Sequence, residues 1–205
     1  MAPYAAPHLL LLSLLALPAL PARAQDALPP DHPTVSFTAE YRLDRNRGGH
    51  FEWGLRRLAV DGPHLRDELL NGDLDRASLI VDLAQGWALR FEPDDPGHVV
   101  TRQRLGIDRD RLLPAMAQGY EAVSRRLGPP RLLGPRRIAG QDCARLVWET
   151  VGEKQEWCVT QDGIALLARR QLGVQESRIE ATLLQRGPPD PALFALPPGF
   201  APPPE

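Results

Sequence analysis

The chain has 205 residues, with 24 basic and 26 acidic side chains, a formal charge of −2 and 22 prolines. That balance excludes a nucleic-acid partner, because a phosphate backbone demands a clustered basic face. It also leaves enough apolar material for one domain of ordinary size whose core folds without a metal.

Residues 1–8 lead into an apolar run at residues 9–19, broken only by Ser13 and Pro18 and closed by Pro21, Ala22, Arg23 and Ala24. This is the layout of a secretory signal peptide over residues 1–24, and small Ala22 and Ala24 place the cleavage after Ala24. The run is too short to cross a hydrocarbon core of about 30 Å as a stable anchor. The first residues carry no Lys or Arg, so an uncleaved anchor is the competing reading. No Cys stands near the cleavage site, so no acyl chain attaches there and no stable membrane anchor is expected after cleavage. Loss of Arg23 leaves 23 basic against 26 acidic residues, a mature charge of −3. Lys154 is the one lysine, an arginine bias that points to a bacterial source. The expected location is periplasmic or secreted.

Residues 25–33 are Pro-rich with little to bury and are expected to form a flexible leader. From Thr34 onward Val35, Phe37, Ala39, Tyr41 and Leu43 alternate with polar residues, which predicts a half-buried strand. After the turn at residues 44–49, Phe51, Trp53 and Leu55 resume the alternation. The phase then slips to Leu58 and Val60, which predicts a bulge near Arg56. Further short strands are expected at residues 65–70, 77–83, 87–91 and 98–102, separated by Gly, Pro and Asn-Gly turns. Their spacing argues for an antiparallel meander.

The period then changes. Leu112, Leu113, Met116, Tyr120, Val123 and Leu127 recur at helical spacing, predicting one amphipathic helix over 108–127, capped by Asp108 or Asp110 and tolerating Pro114 in its first turn. Four more strands are expected at 136–150, 155–160, 164–172 and 177–185. Residues 188–200 are too Pro-rich for a strand and should lie across the sheet, pinned by Phe194 and Phe200; residues 201–205 are expected to be a disordered tail. The fold class is therefore mainly β (α+β): a single curved antiparallel sheet or half-open β-barrel, with one amphipathic helix covering its inner face, in one domain over 34–200.

Cys143 and Cys158 are the only cysteines. In an exported protein, with a Gly-containing turn midway between them, a hairpin disulfide is the leading reading. Buried free thiols and a redox-active pair are the alternatives, the latter weakened by the lack of C-x-x-C spacing.

Nothing in the pattern carries catalysis. The mature histidines His32, His50, His64 and His98 show no metal-ligand spacing, and no serine sits in a G-x-S-x-G elbow. Asp94-Asp95 lacks the alternating oxygen ligands of a calcium loop. No enzyme activity, metal or cofactor is expected. What remains is an apolar inner face expected to carry Phe37, Tyr41, Trp53, Trp87 and Phe91, faced by Leu112, Met116 and Tyr120 of the helix. The helix either plugs the sheet as core or lids a cavity lined by these residues, and composition favours the plug.

The order of elements resembles a known group. The stretches LIVDLAQGWALRFEP, IAGQDCARLVWET and EWCVTQDGIALLAR and the ending GPPDPALFALPPGF resemble a family of bacterial exported proteins of unknown function. That family is similar in fold to the outer-membrane lipoprotein carriers (LolA/LolB-like). The resemblance covers most of residues 34–200 and implies an incomplete, strongly curved barrel over an apolar cavity, which in the carriers receives acyl chains. It moves the expectation toward the lid: a non-enzymatic periplasmic binding protein holding an acyl chain, lipid or other apolar ligand between sheet and helix. The competing expectation is an envelope protein-interaction module with a filled core, whose partner is another envelope protein.

Overall fold

The computed structural model describes residues 27–74, 76–106 and 113–203. Among them eleven strands form one antiparallel sheet: β1 (Phe37–Arg47), β2 (His50–Asp61), β3 (His64–Gly72), β4 (Ser78–Asp82), β5 (Trp87–Phe91), β6 (Val100–Arg104), β7 (Arg131–Ile138), β8 (Gln141–Thr150), β9 (Glu153–Val159), β10 (Ala165–Leu172) and β11 (Gln175–Arg186). The order across the sheet is β6-β5-β4-β3-β2-β1-β11-β10-β9-β8-β7. Two meanders are thus joined where the first strand pairs the last, and β6 and β7 are left as edges. The sheet is curved but not closed. At its β7 end it rolls back on itself, so that Arg136 Nη2 lies 3.9 Å from the Glu180 carboxylate of β11.

Residues directly opposite each other on antiparallel strands share a face, and this sorts the side chains. Phe37, Ala39, Tyr41 and Leu43 share the inner face with Leu58 and Val60 of β2, Leu65 of β3 and Val81 of β4. Most of them belong to one continuous core. The Tyr41 hydroxyl donates to the Ala165 carbonyl at 2.9 Å, tying β1 to β10 across β11.

The expected slip in β2 has a different cause from a bulge in that strand. β2 pairs β1 without interruption from His50 to Val60. The irregularity near Arg56 lies in the partner, where Leu70 of β3 is the extra residue between Leu69 and Asn71. Phe51, Trp53 and Leu55 simply face outward while Leu58 and Val60 face inward, so the apolar phase changes face partway along a regular strand. Trp53 is accordingly 40% exposed, with the Arg42 guanidinium 5.7 Å from its ring.

Trp87 and Phe91 are also outward. Val81 and Ala88 point to the main core, whereas Ile80, Leu89 and Phe91 form a second cluster on the opposite face, joined by Trp87 and Val100. The C-terminal segment covers this cluster. A 3-10 turn at Pro191–Phe194 sets Phe194 5.9 Å from His64, and Phe200 lies 5.2 Å from Phe91 and 4.7 Å from His98.

The stretch expected as one strand over 136–150 is two strands, β7 and β8. Positive φ at Ala139 (47°) and Gly140 (73°) makes the tight turn between them. Gly134 and Pro135 read as breakers, yet β7 is an edge strand, where a missing N–H costs no ladder bond. Among the described residues the single helix expected over 108–127 is instead two short helices, α1 (Ala115–Gln118) and α2 (Glu121–Leu127), because Gly119 (φ 78°) breaks the chain between them. The expected caps Asp108 and Asp110 lie outside the described residues, as does the signal peptide expected over 1–24.

Within the described residues, Pro29, Asp31 and Thr34 are tied to the rest of the domain. Thr34 N–H donates to the Asp162 carbonyl at 2.9 Å, Tyr120 Oη to the Pro29 carbonyl at 2.6 Å, and Glu121 N–H to Asp31 Oδ1 at 2.6 Å. Asp31 thus supplies the cap that α2 lacks at its own N-terminus. Glycine is required at both docking points: a Cβ on Gly119 would stand 2.3 Å from the Asp31 carboxylate, and one on Gly163 2.2 Å from the His32 carbonyl.

Cys143 and Cys158 are bonded, with Cα atoms 5.3 Å apart on neighbouring strands β8 and β9. Replacing both by Ser should lower unfolding stability by about 3 kcal/mol, the loop-closure value for this separation, measured by urea denaturation. Asp31→Ala should cost about 1 kcal/mol in the same assay through the lost cap.

Candidate functional site

The connection from β6 to β7 runs from one edge of the sheet to the other and places α1 and α2 on the inner face. Met116, Tyr120 and Val123 are buried within the main core, and Trp148 Nε1 donates to the Gly128 carbonyl at 2.9 Å, fixing the end of α2 on β8. These helices fill the centre of the concavity. They do not cover all of it.

Three clefts flank α1, and all three include Ala115 and Ile179 in their walls. One, of about 360 Å³, lies between α1 and β1–β5. Its floor is apolar, with Tyr41, Leu43, Leu58, Leu79 and Met116, and its polar lining is Arg45, Arg56, Asp67 and Arg90. A second, of about 420 Å³, lies between the two helices and β9–β11, over Trp157, Ala168 and Gln155 with Arg126 and Arg170. The third, of about 320 Å³, opens at the end of the sheet between residues 43–47 of β1 and Leu172, Gln175 and Arg178.

Charge is held in place around these walls. Arg56 grips Asp67 through two bonds of 3.0 and 2.9 Å and also donates to the Ala77 carbonyl at 2.9 Å. Burial raises the Asp67 carboxyl above its ordinary value against the pull of Arg56. Complete burial likewise lifts the Tyr41 hydroxyl. Glu153 of β9 accepts from Arg126 of α2 at 2.6 and 2.9 Å, from Gln155 at 2.8 Å and from Arg170 of β10 at 2.9 Å. The Arg126 bonds, helped by Gln155 and Arg170, pull its carboxyl down to about 2.

Of the residues expected to line a cavity, Tyr41 and Met116 do line a cleft. Phe37 and Tyr120 are buried in the core away from the clefts. Trp53, Trp87 and Phe91 stand on the opposite face, and Leu112 lies outside the described residues. Ala115 and Ile179, where the clefts converge, carried no sequence signal: one is a small helix residue and the other an ordinary apolar strand position. Among the described residues no group of three His, Cys, Asp or Glu side chains is placed to hold a metal ion. No described helix is long and apolar enough to cross a membrane.

No protein-family profile matches this sequence, and no curated protein matches it. Solved structures do. The chain is similar to MucB, with a TM-score of 0.52 and 17% identity over 82% of this chain and 59% of that one. It is also similar to the MucA/MucB complex of Pseudomonas aeruginosa (TM-score 0.49, 19% identity, 80% of this chain and 56% of that one). A candidate outer membrane lipoprotein-sorting protein domain from Vibrio parahaemolyticus is similar as well (TM-score 0.38, 13% identity, 78% and 89%). This chain spans under two thirds of the MucB chains it matches. At such identity the likeness to MucB is one of fold.

The Glu153 clamp makes a pH prediction. A carboxyl lowered by folding stabilises the native state above its unfolded value, ordinarily near 4.5, and that contribution is lost as pH falls toward about 2. Thermal melting followed from pH 5 to pH 2, a window set by these values, should show a steeper loss in the natural protein than in Glu153→Gln, whose curve lacks this component.

Proposed function

We propose that this chain is a non-enzymatic binding module of the bacterial cell envelope, exported by its N-terminal signal, that holds an acyl chain or another amphipathic apolar ligand in the clefts around α1. The observation that carries this reading is the convergence of three clefts on Ala115, one with an apolar floor beside Met116 and Tyr41 and an arginine-bearing wall. Apolar walls take up methylenes, and arginines at the margin suit an anionic head group. Burying about ten methylenes is worth roughly 8 kcal/mol, enough for micromolar affinity. The lipoprotein-sorting neighbour supports this reading by analogy of fold only.

A second reading has its own observation. Met116, Tyr120 and Val123 are core residues, so the space directly beneath the helices is filled, as in an envelope protein-interaction module. MucB, which shares the fold and is seen in complex with MucA, supports this alternative.

Native mass spectrometry of protein purified gently from periplasm separates the two. A co-purifying fatty acid or phospholipid, released on denaturation, is the expected result. Ala115→Trp, which fills the meeting point of the clefts, should remove the adduct while leaving the melting temperature within a few degrees. An apo mass that persists after incubation with lipids would sink the ligand reading and leave the interaction module.

A further inference from the structure

One end of the sheet presents apolar side chains that contribute nothing to the core. Val151, between β8 and β9, is fully exposed, and Val174, between β10 and β11, is 81% exposed. The two apexes touch, Gly173 N–H donating to the Gly152 carbonyl at 3.1 Å. Leu172 beside them is 42% exposed, and Phe51 of the β1–β2 hairpin is 72% exposed.

These hairpins lie at the same end. A single cross-strand row runs from Phe51 through Asn46, Glu176 and Gln171 to Lys154, a span of roughly 19 Å at the usual strand spacing. Isolated exposed apolar residues need no explanation. Four along one rim do, since a β-branched residue at a turn apex buries nothing and aids no turn geometry.

The charges of this rim are uneven. Glu52 pairs with Arg45, Glu153 with Arg126 and Arg170, and Glu176 with Arg169. Among the described residues Arg47 and Lys154, at the two apex regions, form no ion pair, although Lys154 stands across the ladder from Glu149, whose carboxylate lies 4.0 Å from Arg131. The carboxylates are neutralised locally and two cations are left over.

We infer that this end of the sheet docks on the surface of an anionic phospholipid bilayer. Val151, Val174 and Phe51 enter the boundary between head groups and acyl chains, and Arg47 and Lys154 meet phosphates. Separate apolar points beside unpaired cations suit a fluid, negatively charged surface, which closes around each point. The cleft walled by Arg47, Leu172 and Gln175 opens at this same end, but the docking does not require that any cleft hold a ligand.

Co-sedimentation with phosphatidylglycerol–phosphatidylethanolamine vesicles, against pure phosphatidylcholine vesicles, tests this with the purified mature protein. The natural protein should partition to the anionic vesicles and lose that binding as salt is raised. Val151→Ser with Val174→Ser should weaken partitioning by about tenfold, and Arg47→Gln with Lys154→Gln by a similar factor. Both pairs are exposed, so melting temperatures should stay unchanged, and ligand capture by the valine variant, whose substituted residues wall none of the three clefts, should be unaffected in native mass spectrometry. Ala115→Trp should bind vesicles normally, which keeps this inference separate from the cleft reading. Failure of the natural protein to partition, undiminished binding of the valine variant, or equal binding to phosphatidylcholine would each overturn it, as would a protein partner seated on this rim without vesicle binding.

Discussion

Strands β6 and β7 follow one another in sequence and stand at opposite edges of the sheet. The chain between them must therefore cross the inner face, and that constraint governs the rest of the molecule. It puts apolar helix residues where an eleven-stranded sheet most needs cover, without a separate domain to supply it. A crossing chain has to follow a curved surface, and Gly119 breaks it into two pieces that turn with the concavity.

The clefts follow from the same geometry. The two described helices, of four and seven residues, are roughly 6 and 10 Å long, whereas eleven strands at their usual spacing extend roughly 50 Å across the sheet. So small a cover fills the centre, where Met116, Tyr120 and Val123 join the core, and leaves unfilled margins on either side of Ala115. The choice between plug and lid, framed for one long helix, dissolves here: the helices are core, and the space lies beside them.

Holding so short a cover in place takes several polar attachments. The leader docks through Pro29 and Asp31 onto the junction of α1 and α2, Glu153 clamps α2 to β9 and β10, and Trp148 fixes its far end. Each attachment joins segments far apart in sequence, as does the β1–β11 pairing that unites the two meanders. A fold assembled this way depends on nonlocal contacts, which form late and at entropic cost. The disulfide, by contrast, lies within one hairpin and limits the freedom of a local loop.

By itself the sequence indicated ten of the eleven strands, most of their limits and a Cys143–Cys158 disulfide as the leading reading, because period-two alternation, Gly and Pro turns and a hairpin spacing are local properties of the chain. It also determined the position of the C-terminal cover, since Pro-rich backbone cannot join a ladder while Phe194 and Phe200 still need burial. The tertiary structure decided which face each side chain occupies. Trp53, Trp87 and Phe91 look like inner-face residues until the pairing register puts them outside, for an apolar residue is equally at home on either face once both are covered. It decided that β7 exists, because Pro135 is tolerated only at an edge, and edges are defined by strand order. And it alone made Ala115 and Ile179 the centre of the clefts, since their importance comes from where long-range pairing brings them and not from their own chemistry.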